Sequence, residues 1–376
     1  MKDTLLGKLS TRKFLREHWQ KKPLLVRHAI PDLAERLKGI DRHVLMELSA
    51  RDDLESRLVL RERGRWQLRR GPFDKRDFRR LPPGGWTLLI NGLDRVLPQA
   101  SSLRLEFGFL PTARLDDVMA SYASDGGGVG PHFDSYDVFL LQGPGMRRWR
   151  ISAQQDLSLR NELPLKILKN FRSEQESLLD CGDMLYLPPH YAHDGIAVDE
   201  CITYSIGFYA PSAAEIGVGF LDFLRDRLEF AGMYQDADLK PQRHPALISR
   251  DMQRRISAML ETISWGSDDI LAFIGQFLTE PGNDVFFEAP LRPMPSKRWA
   301  AAIRQHGIHL DLKTRMLFDA DALYINGERG KPGFGFAALR QLADRRELAP
   351  PLILERDGEA LLYQWYRAGY IHAGRI

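Results

Sequence analysis

The sequence predicts an α+β protein built on a double-stranded β-helix (jelly roll), followed by a helical bundle and a small winged-helix-like C-terminal module. Three observations predict it. Between Tyr136 and Ile206, apolar runs of strand length alternate with Gly/Pro turns. At Pro211 the apolar residues change to helical spacing, and after about Pro290 short strands and helices mix again. The resulting segments are 1–210, 211–285 and 286–376, in keeping with the two or three domains that 376 residues support.

Taken in order, residues 10–19 read as a helix and Leu24-Leu25-Val26 as a strand entering a charge-rich loop. Trp86 to Ile90 is an apolar strand, and 116–122 leads into Gly126-Gly127-Gly128-Val129-Gly130-Pro131. A run so rich in glycine brings nearly bare backbone up to its neighbours, as a bulge or a close chain approach requires. Asp137 to Gln142, a turn at Gly143-Pro144-Gly145, and Arg147 to Ile151 form the next strands, and 183–187 and 201–209 complete the β-rich segment.

Past Pro211, Ser212-Ala213-Ala214-Glu215 is a capping box, with the hydroxyl set to accept from the first amides and the glutamate to reach back. The helix it opens carries Ile216, Phe220, Leu221 and Leu224 on one stripe. A second helix over 249–263 aligns Met252, Ile256, Met259 and Ile263, and a third covers 268–278. Three such helices are expected to pack as a small bundle, serving either as a cap on the barrel or as a dimer interface. In the tail, a helix over 296–305, strands flanking Asp319, a hairpin turn at Asn326-Gly327, and helices over 336–342 and 359–368 make a small α+β module. From Arg292 to Arg375 it holds fourteen Lys/Arg against nine Asp/Glu. Nucleic-acid binding by a winged helix is therefore open, but not expected, because the shape also serves protein contacts.

Composition narrows the class. An apolar content of 44% excludes a disordered or fibrous chain, and a net charge of +3 permits an anionic partner such as a ribosomal assembly without demanding one. Cys181 and Cys201 have no zinc spacing and read as small buried residues at strand ends. No segment resembles a signal peptide or reaches the ~18 apolar residues of a membrane helix, so a soluble cytoplasmic protein is expected.

The chemistry lies in His132-Phe133-Asp134. Alternate residues of a strand point the same way, so His132 and Asp134 can converge on one ion while Phe133 packs behind. With a third ligand from a neighbouring strand, two histidines and one carboxylate form the set with which non-heme Fe(II) oxygenases hold their metal and leave one face open. His190 and His193 both follow the strand at 183–187. His190 sits beside Pro188-Pro189, in turn chemistry, while His193 stands where the chain returns to a strand.

An Fe(II) site of this class that uses 2-oxoglutarate needs a basic group for the far carboxylate of the cosubstrate. Arg147 shares a strand face with Trp149 and Ile151, and Arg148 shares the other with Arg150. An arginine alternating with large apolar residues either faces the interior or is a half-buried, salt-bridged edge residue; parity leaves both open. Ser121, Thr203 and Ser205 offer small hydroxyls on strands expected beside the metal. Asp125, Tyr136 and Asp137 lie near the mouth as candidate substrate contacts.

The motifs Gly126 to Gly143 with His132 and Asp134, Arg147-Arg148-Trp149-Arg150, and Gly182 to Pro189 with His193 closely resemble the bacterial JmjC-type ribosomal oxygenases, a cupin class. The stretch 14–23, Ser56 to Val59 and Gly71-Pro72-Phe73 resemble the same family, so the resemblance runs through essentially the whole chain, with the tail matched only in outline. It implies His132, Asp134 and His193 as metal ligands, Arg147 as the 2-oxoglutarate anchor, Fe(II) and O2 as reactants, and a homodimer through the helical segment. It further implies hydroxylation of an arginine β-carbon in a large-subunit ribosomal protein, the sixteenth of the bacterial series. A related branch modifies histidine, and nothing in the residues themselves separates the two. The alternative classes are a metal-binding cupin that regulates through nucleic acid, and a metal-dependent isomerase or cosubstrate-free dioxygenase, which Arg147 disfavours.

Overall fold

The computed structural model describes residues 5–228, 232–282, 284–330, 336–352 and 356–374. By packing, the described chain falls into two compact units. The first comprises 1–210, 281–315 and 333–376, and the second 211–280 and 316–332.

The first unit opens with the short helices α1 (Thr11–Glu17), α2 (Leu33–Arg36), α3 (Arg42–Leu48), α4 (Lys75–Arg79) and α5 (Pro98–Glu106). Ser10 caps α1 by accepting from the Lys13 N–H. Among and after them come β1 (Leu24–Val26), β2 (Ser56–Glu62), β3 (Arg65–Arg70), β4 (Trp86–Ile90), β5 (Leu115–Ala123) and β6 (Asp137–Gln142). Then follow β7 (Arg147–Ser152), β8 (Gln175–Leu179), β9 (Met184–Leu187), β10 (Ala192–Ala197) and β11 (Cys201–Phe208). Eight strands form one sheet in the order β1-β9-β6-β11-β5-β4-β2-β3, and three form a second, β10-β7-β8. This is the predicted double-sheet roll.

The large sheet is buried on both faces at its centre, which explains why β6 reads as a continuous apolar run, Val138 to Leu141, and why even the hydroxyl-bearing residues of β11 are buried. Phe139 and Leu141 of β6 pack with Phe14, Phe107 and Tyr204 under the N-terminal helices. Val138 and Leu140 point the other way, onto Trp149, Ile151 and Leu179 of the small sheet. Register on β11 follows the same rule: Tyr204 and Ile206 join the helical side, leaving Thr203 and Ser205 on the face toward the small sheet.

The Arg-rich β2–β3 hairpin is the main element that patterning hides. Arginines stand on both faces of it, which erases the two-residue period, and its turn places Arg63 and Gly64 at φ of 48° and 79°. Asn-Gly normally marks a turn of that shape. Where Asn-Gly does occur, at Asn326-Gly327, the expected hairpin joins Leu323–Ile325 to Glu328–Gly330. Both cysteines are free, and Cys201 is buried as expected, but Cys181 is only half-buried.

In the second unit, α6 (Ala213–Arg225) begins with the predicted capping box, and α7 (Arg250–Leu260) and α8 (Ser267–Thr279) follow. Phe220 of α6 packs on Phe273 of α8 with ring centroids 5.2 Å apart. No residue of α7 is buried, and Met252, Ile256 and Met259 are exposed along its apolar stripe. The tail supplies α9 (Ser296–His306), α10 (Phe336–Arg345) and α11 (Arg356–Ala368), with Trp299 fully buried against Tyr363 and Tyr366. Among the described residues, no helix is long and apolar enough to cross a membrane.

Candidate metal centre

The ligand triplet is assembled by main-chain pairing. His132 is not in a regular strand, contrary to expectation. The segment around it is irregular and touches β10 through one antiparallel bridge, His132 to His193. The His190 N–H donates to the Asp134 carbonyl at 2.7 Å, which clamps the far end of the motif. Glycine makes this approach feasible: a Cβ on Gly128 would stand 2.5 Å from the Gly195 carbonyl oxygen. Gly130, at φ +82°, packs beneath Trp66 and Ile167.

His132, Asp134 and His193 each offer one ligand atom, all within 4.8 Å of one another. His193 Nε2 lies 3.6 Å from Asp134 Oδ2. Ligand atoms about 2.1 Å from a common ion and at right angles to each other stand roughly 3 Å apart, so a small shift closes the set around a metal. The Nδ1 atoms of His132 and His193 donate to the carbonyls of Gly130 and Tyr191, both at 2.9 Å. A carbonyl only accepts, so each ring carries its proton on Nδ1 and turns Nε2 to the site. Burial pushes His193 down to about 4, and the neighbouring His132 adds to the effect. His193 is therefore a neutral ligand at pH 7, and its contact with Asp134 is two ligands of one site rather than a salt bridge. His190 is exposed in the turn at φ +63°, outside the triplet.

The triplet opens into a cavity of about 430 Å³ between the sheets. Arg147 is 4% exposed and reaches it from β7, donating through Nη1 to Ser121 Oγ at 3.1 Å. Its Nε and Nη2 are buried with no partner among the described residues. A buried guanidinium with two unsatisfied donors costs several kcal/mol unless an anion meets it, and that fits a carboxylate ligand arriving beside the metal. Ser205 lines the same cavity. Thr203 does not: its hydroxyl donates to Gln142 Oε1 at 3.0 Å and is fully buried there.

Of the three candidate substrate contacts, Tyr136 lines the cavity, and burial beside Asp134 raises its phenol. Asp137 is corrected: it is wholly buried, accepting from Tyr186 Oη at 2.6 Å and Gln20 Nε2 at 3.0 Å, with Arg114 beside it. A carboxylate buried in that network lies outside the cavity lining and does not meet a substrate there. Asp125 is exposed and outside the cavity lining, and its carbonyl accepts from the Gly85 N–H. Arg57 and Arg70 from the hairpin, Lys166 from the loop before β8, and Trp149 also line the cavity. Trp149 shares the parity of Arg147 and was legible on that ground; Lys166 sits in a loop that gives no signal.

The strand β10 divides two cavities. His193 and Gly195 face the metal side, whereas Asp194 and Ile196 line a second cavity of about 320 Å³.

Comparison with known proteins places the fold in a family. The JmjC domain profile matches residues 102–216 and the ROXA-like winged-helix profile residues 258–372. The ribosomal protein uL16 3-hydroxylase of Escherichia coli strain K12 is 32% identical over 321 residues, 84% of each chain. The chain belongs to the JmjC-type ribosomal oxygenases. A probable ribosomal oxygenase of Haemophilus influenzae is 31% identical, over 83% of this oxygenase and 75% of its own length. The structure of YcfD, a ribosomal oxygenase from Escherichia coli, in complex with cobalt and 2-oxoglutarate superposes with a TM-score of 0.80 at 29% identity. That match covers 97% of this chain and 98% of the other.

Proposed function

We propose that this oxygenase uses Fe(II), 2-oxoglutarate and O2 to hydroxylate the β-carbon of an arginine in the large-subunit ribosomal protein uL16. The observation that carries the reading is the pairing of a two-histidine, one-carboxylate triplet with a buried, half-satisfied Arg147 in one cavity. Iron with bound 2-oxoglutarate supplies the oxidising power, releasing succinate and CO2 as one oxygen atom goes to the substrate. The residues of the chain do the rest. His132, Asp134 and His193 would hold the metal on one side. Arg147, steadied by Ser121, would fix the distal carboxylate, while Trp149, Val138 and Leu140 keep that end of the cavity dry. Apart from the ligand Asp134, no carboxylate lines the cavity among the described residues, so a substrate guanidinium would rest on Tyr136 and main-chain carbonyls.

The uL16 assignment is supported by a relative of that activity aligning along 84% of both chains. The protein is read as cytoplasmic and as a homodimer, with 1–210 catalytic, 211–285 forming the dimer contact and 286–376 a winged-helix-like domain. Support for the dimer is the exposed apolar side chains Ile216, Val218 and Leu221 on α6 together with Ile256 and Met259 on α7. The deciding experiment is intact-mass analysis of uL16 after incubation with the protein, Fe(II) and 2-oxoglutarate. One added oxygen, mapped to an arginine, is expected. An unmodified uL16 beside an oxidised histidine in another ribosomal protein would move this chain to the histidine branch.

A further inference from the structure

Residues 57–80 hold ten Lys/Arg against three Asp/Glu, a net +7 in a chain whose total is +3, so the rest sums to −4. The segment folds as the β2–β3 hairpin and α4, with β3 at the free edge of the large sheet. Arg69 pairs with Asp77, and Arg57 and Arg70 share Glu55. Arg63, Arg65, Lys75, Arg76, Arg79 and Arg80 are exposed and make no ion pair among the described residues. So concentrated a cationic surface is costly in self-repulsion unless a polyanion neutralises it.

Strand register aligns this charge with a cavity. Arg57 stands opposite Arg70 and Arg61 opposite Trp66 on one face of the hairpin. The first pair lines the metal cavity and the second lines the neighbouring one. That neighbouring cavity also receives Arg150, Arg160, Lys169 and Phe171. The Arg61 guanidinium lies 5.3 Å from the Trp66 ring centroid and Arg150 lies 5.7 Å from that of Phe171. Arg150 is held by Asp194, and its Nε is buried without a partner. Planar cations and aromatic rings in a basic groove suit unpaired bases, and nine of the ten cations of the hairpin segment are arginines, the residue whose fork matches phosphate.

We propose that the hairpin, α4 and this second cavity form a docking site for single-stranded RNA at the rim of the metal site. Phosphates run along the arginines of the free edge, and a base enters beside Trp66. The proposal stands on charge and geometry and does not rest on the oxygenase reading, because no binding readout requires turnover.

The test is fluorescence anisotropy of a labelled twelve-nucleotide RNA with the full-length protein, titrated across salt concentrations. The wild type is expected to bind at physiological salt, with affinity falling steeply as salt rises. The variant Arg63→Ala/Arg65→Ala/Arg79→Ala/Arg80→Ala removes only exposed side chains. It should weaken binding roughly thirty-fold and reduce the salt slope by about three to four, while leaving metal binding and uL16 hydroxylation unchanged. Trp66→Ala should cost roughly ten-fold with a smaller change in slope. No binding by the wild type, or binding unaffected by the fourfold variant, overturns the proposal. Displacement of the RNA by polyglutamate of equal charge also overturns it, in favour of an acidic protein partner.

Discussion

The main chains of His132 and His193 are hydrogen-bonded to each other in both directions, N–H to carbonyl, at 2.9 and 2.8 Å. Two ligands separated by sixty-one positions are thus tied by the backbone before any metal arrives, and the His190 to Asp134 hydrogen bond ties the third. Removing a ligand should therefore empty the site without unfolding it.

Asp134→Ala is expected to lose Co(II) or Fe(II) affinity by at least ~100-fold under anaerobic titration, the scale on which whole ligands matter where their supporting groups alone cost 10- to 100-fold. Its melting temperature should change by only a few degrees. Tight metal binding in this variant would remove the triplet assignment.

Arg147→Ala should raise the KM for 2-oxoglutarate by roughly 100-fold, since a buried charge-assisted hydrogen bond is worth about 3 kcal/mol. Ser121→Ala, which frees one guanidinium hydrogen from its acceptor, should cost about five-fold. Steady-state succinate formation measures both. An unchanged KM in Arg147→Ala would restore the cosubstrate-free alternative.

Gly195→Ala places a methyl 2.7 Å from the buried Trp149 ring, so the indole or the strand must move. It is expected to destabilise the fold by about 1–3 kcal/mol and to impair cosubstrate binding as Trp149 shifts. Thermal denaturation with and without 2-oxoglutarate reads both effects; a wild-type melting temperature would show that the sheet relaxes.

Asp117 is pushed up to about 7 by burial, with Asp94 and Asp116 adding repulsion. The folded protein then keeps a proton that the unfolded chain releases near pH 4, so this group's contribution to stability declines as pH rises from about 4 to 7. Asp117→Asn retains an acceptor for the Gly92 N–H, which the carboxylate meets at 2.7 Å. It should flatten that decline and gain up to a few kcal/mol at pH 8. Urea unfolding at pH 5 and pH 8 provides the comparison, and equal pH dependence in both proteins would argue against a raised Asp117.

If the apolar stripes of α6 and α7 meet a second copy, Leu221→Glu and Ile256→Glu should convert a dimer to a monomer in light scattering at micromolar concentration. A monomeric wild type would remove the homodimer reading.

The central strands and the ligands were legible because their signals are local: β6 carries an unbroken apolar run, β11 alternates Ile202, Tyr204 and Ile206 with Thr203 and Ser205, and His132, Asp134 and His193 are chemically conspicuous. Arg147 was half-legible, since parity gives a face but not which face looks inward; only the packing of Trp149 and Ile151 against β6 decides that. Asp137 misled because sequence proximity to the ligands says nothing about Tyr186 and Gln20, which arrive from forty-nine and one hundred and seventeen residues away. The packing of α7 was equally hidden, because an apolar stripe specifies that a face wants cover without specifying what covers it.

Because alternate residues of β10 serve the metal cavity and its neighbour, the partition between the two chambers is a single strand thick. Enlarging the second chamber by trimming Asp194 or Ile196 acts on the strand that holds His193, so it cannot be redesigned without touching the metal site. In a directed-evolution campaign the tolerant positions should be found on the hairpin and the loop around Lys166, while β10 admits only paired changes.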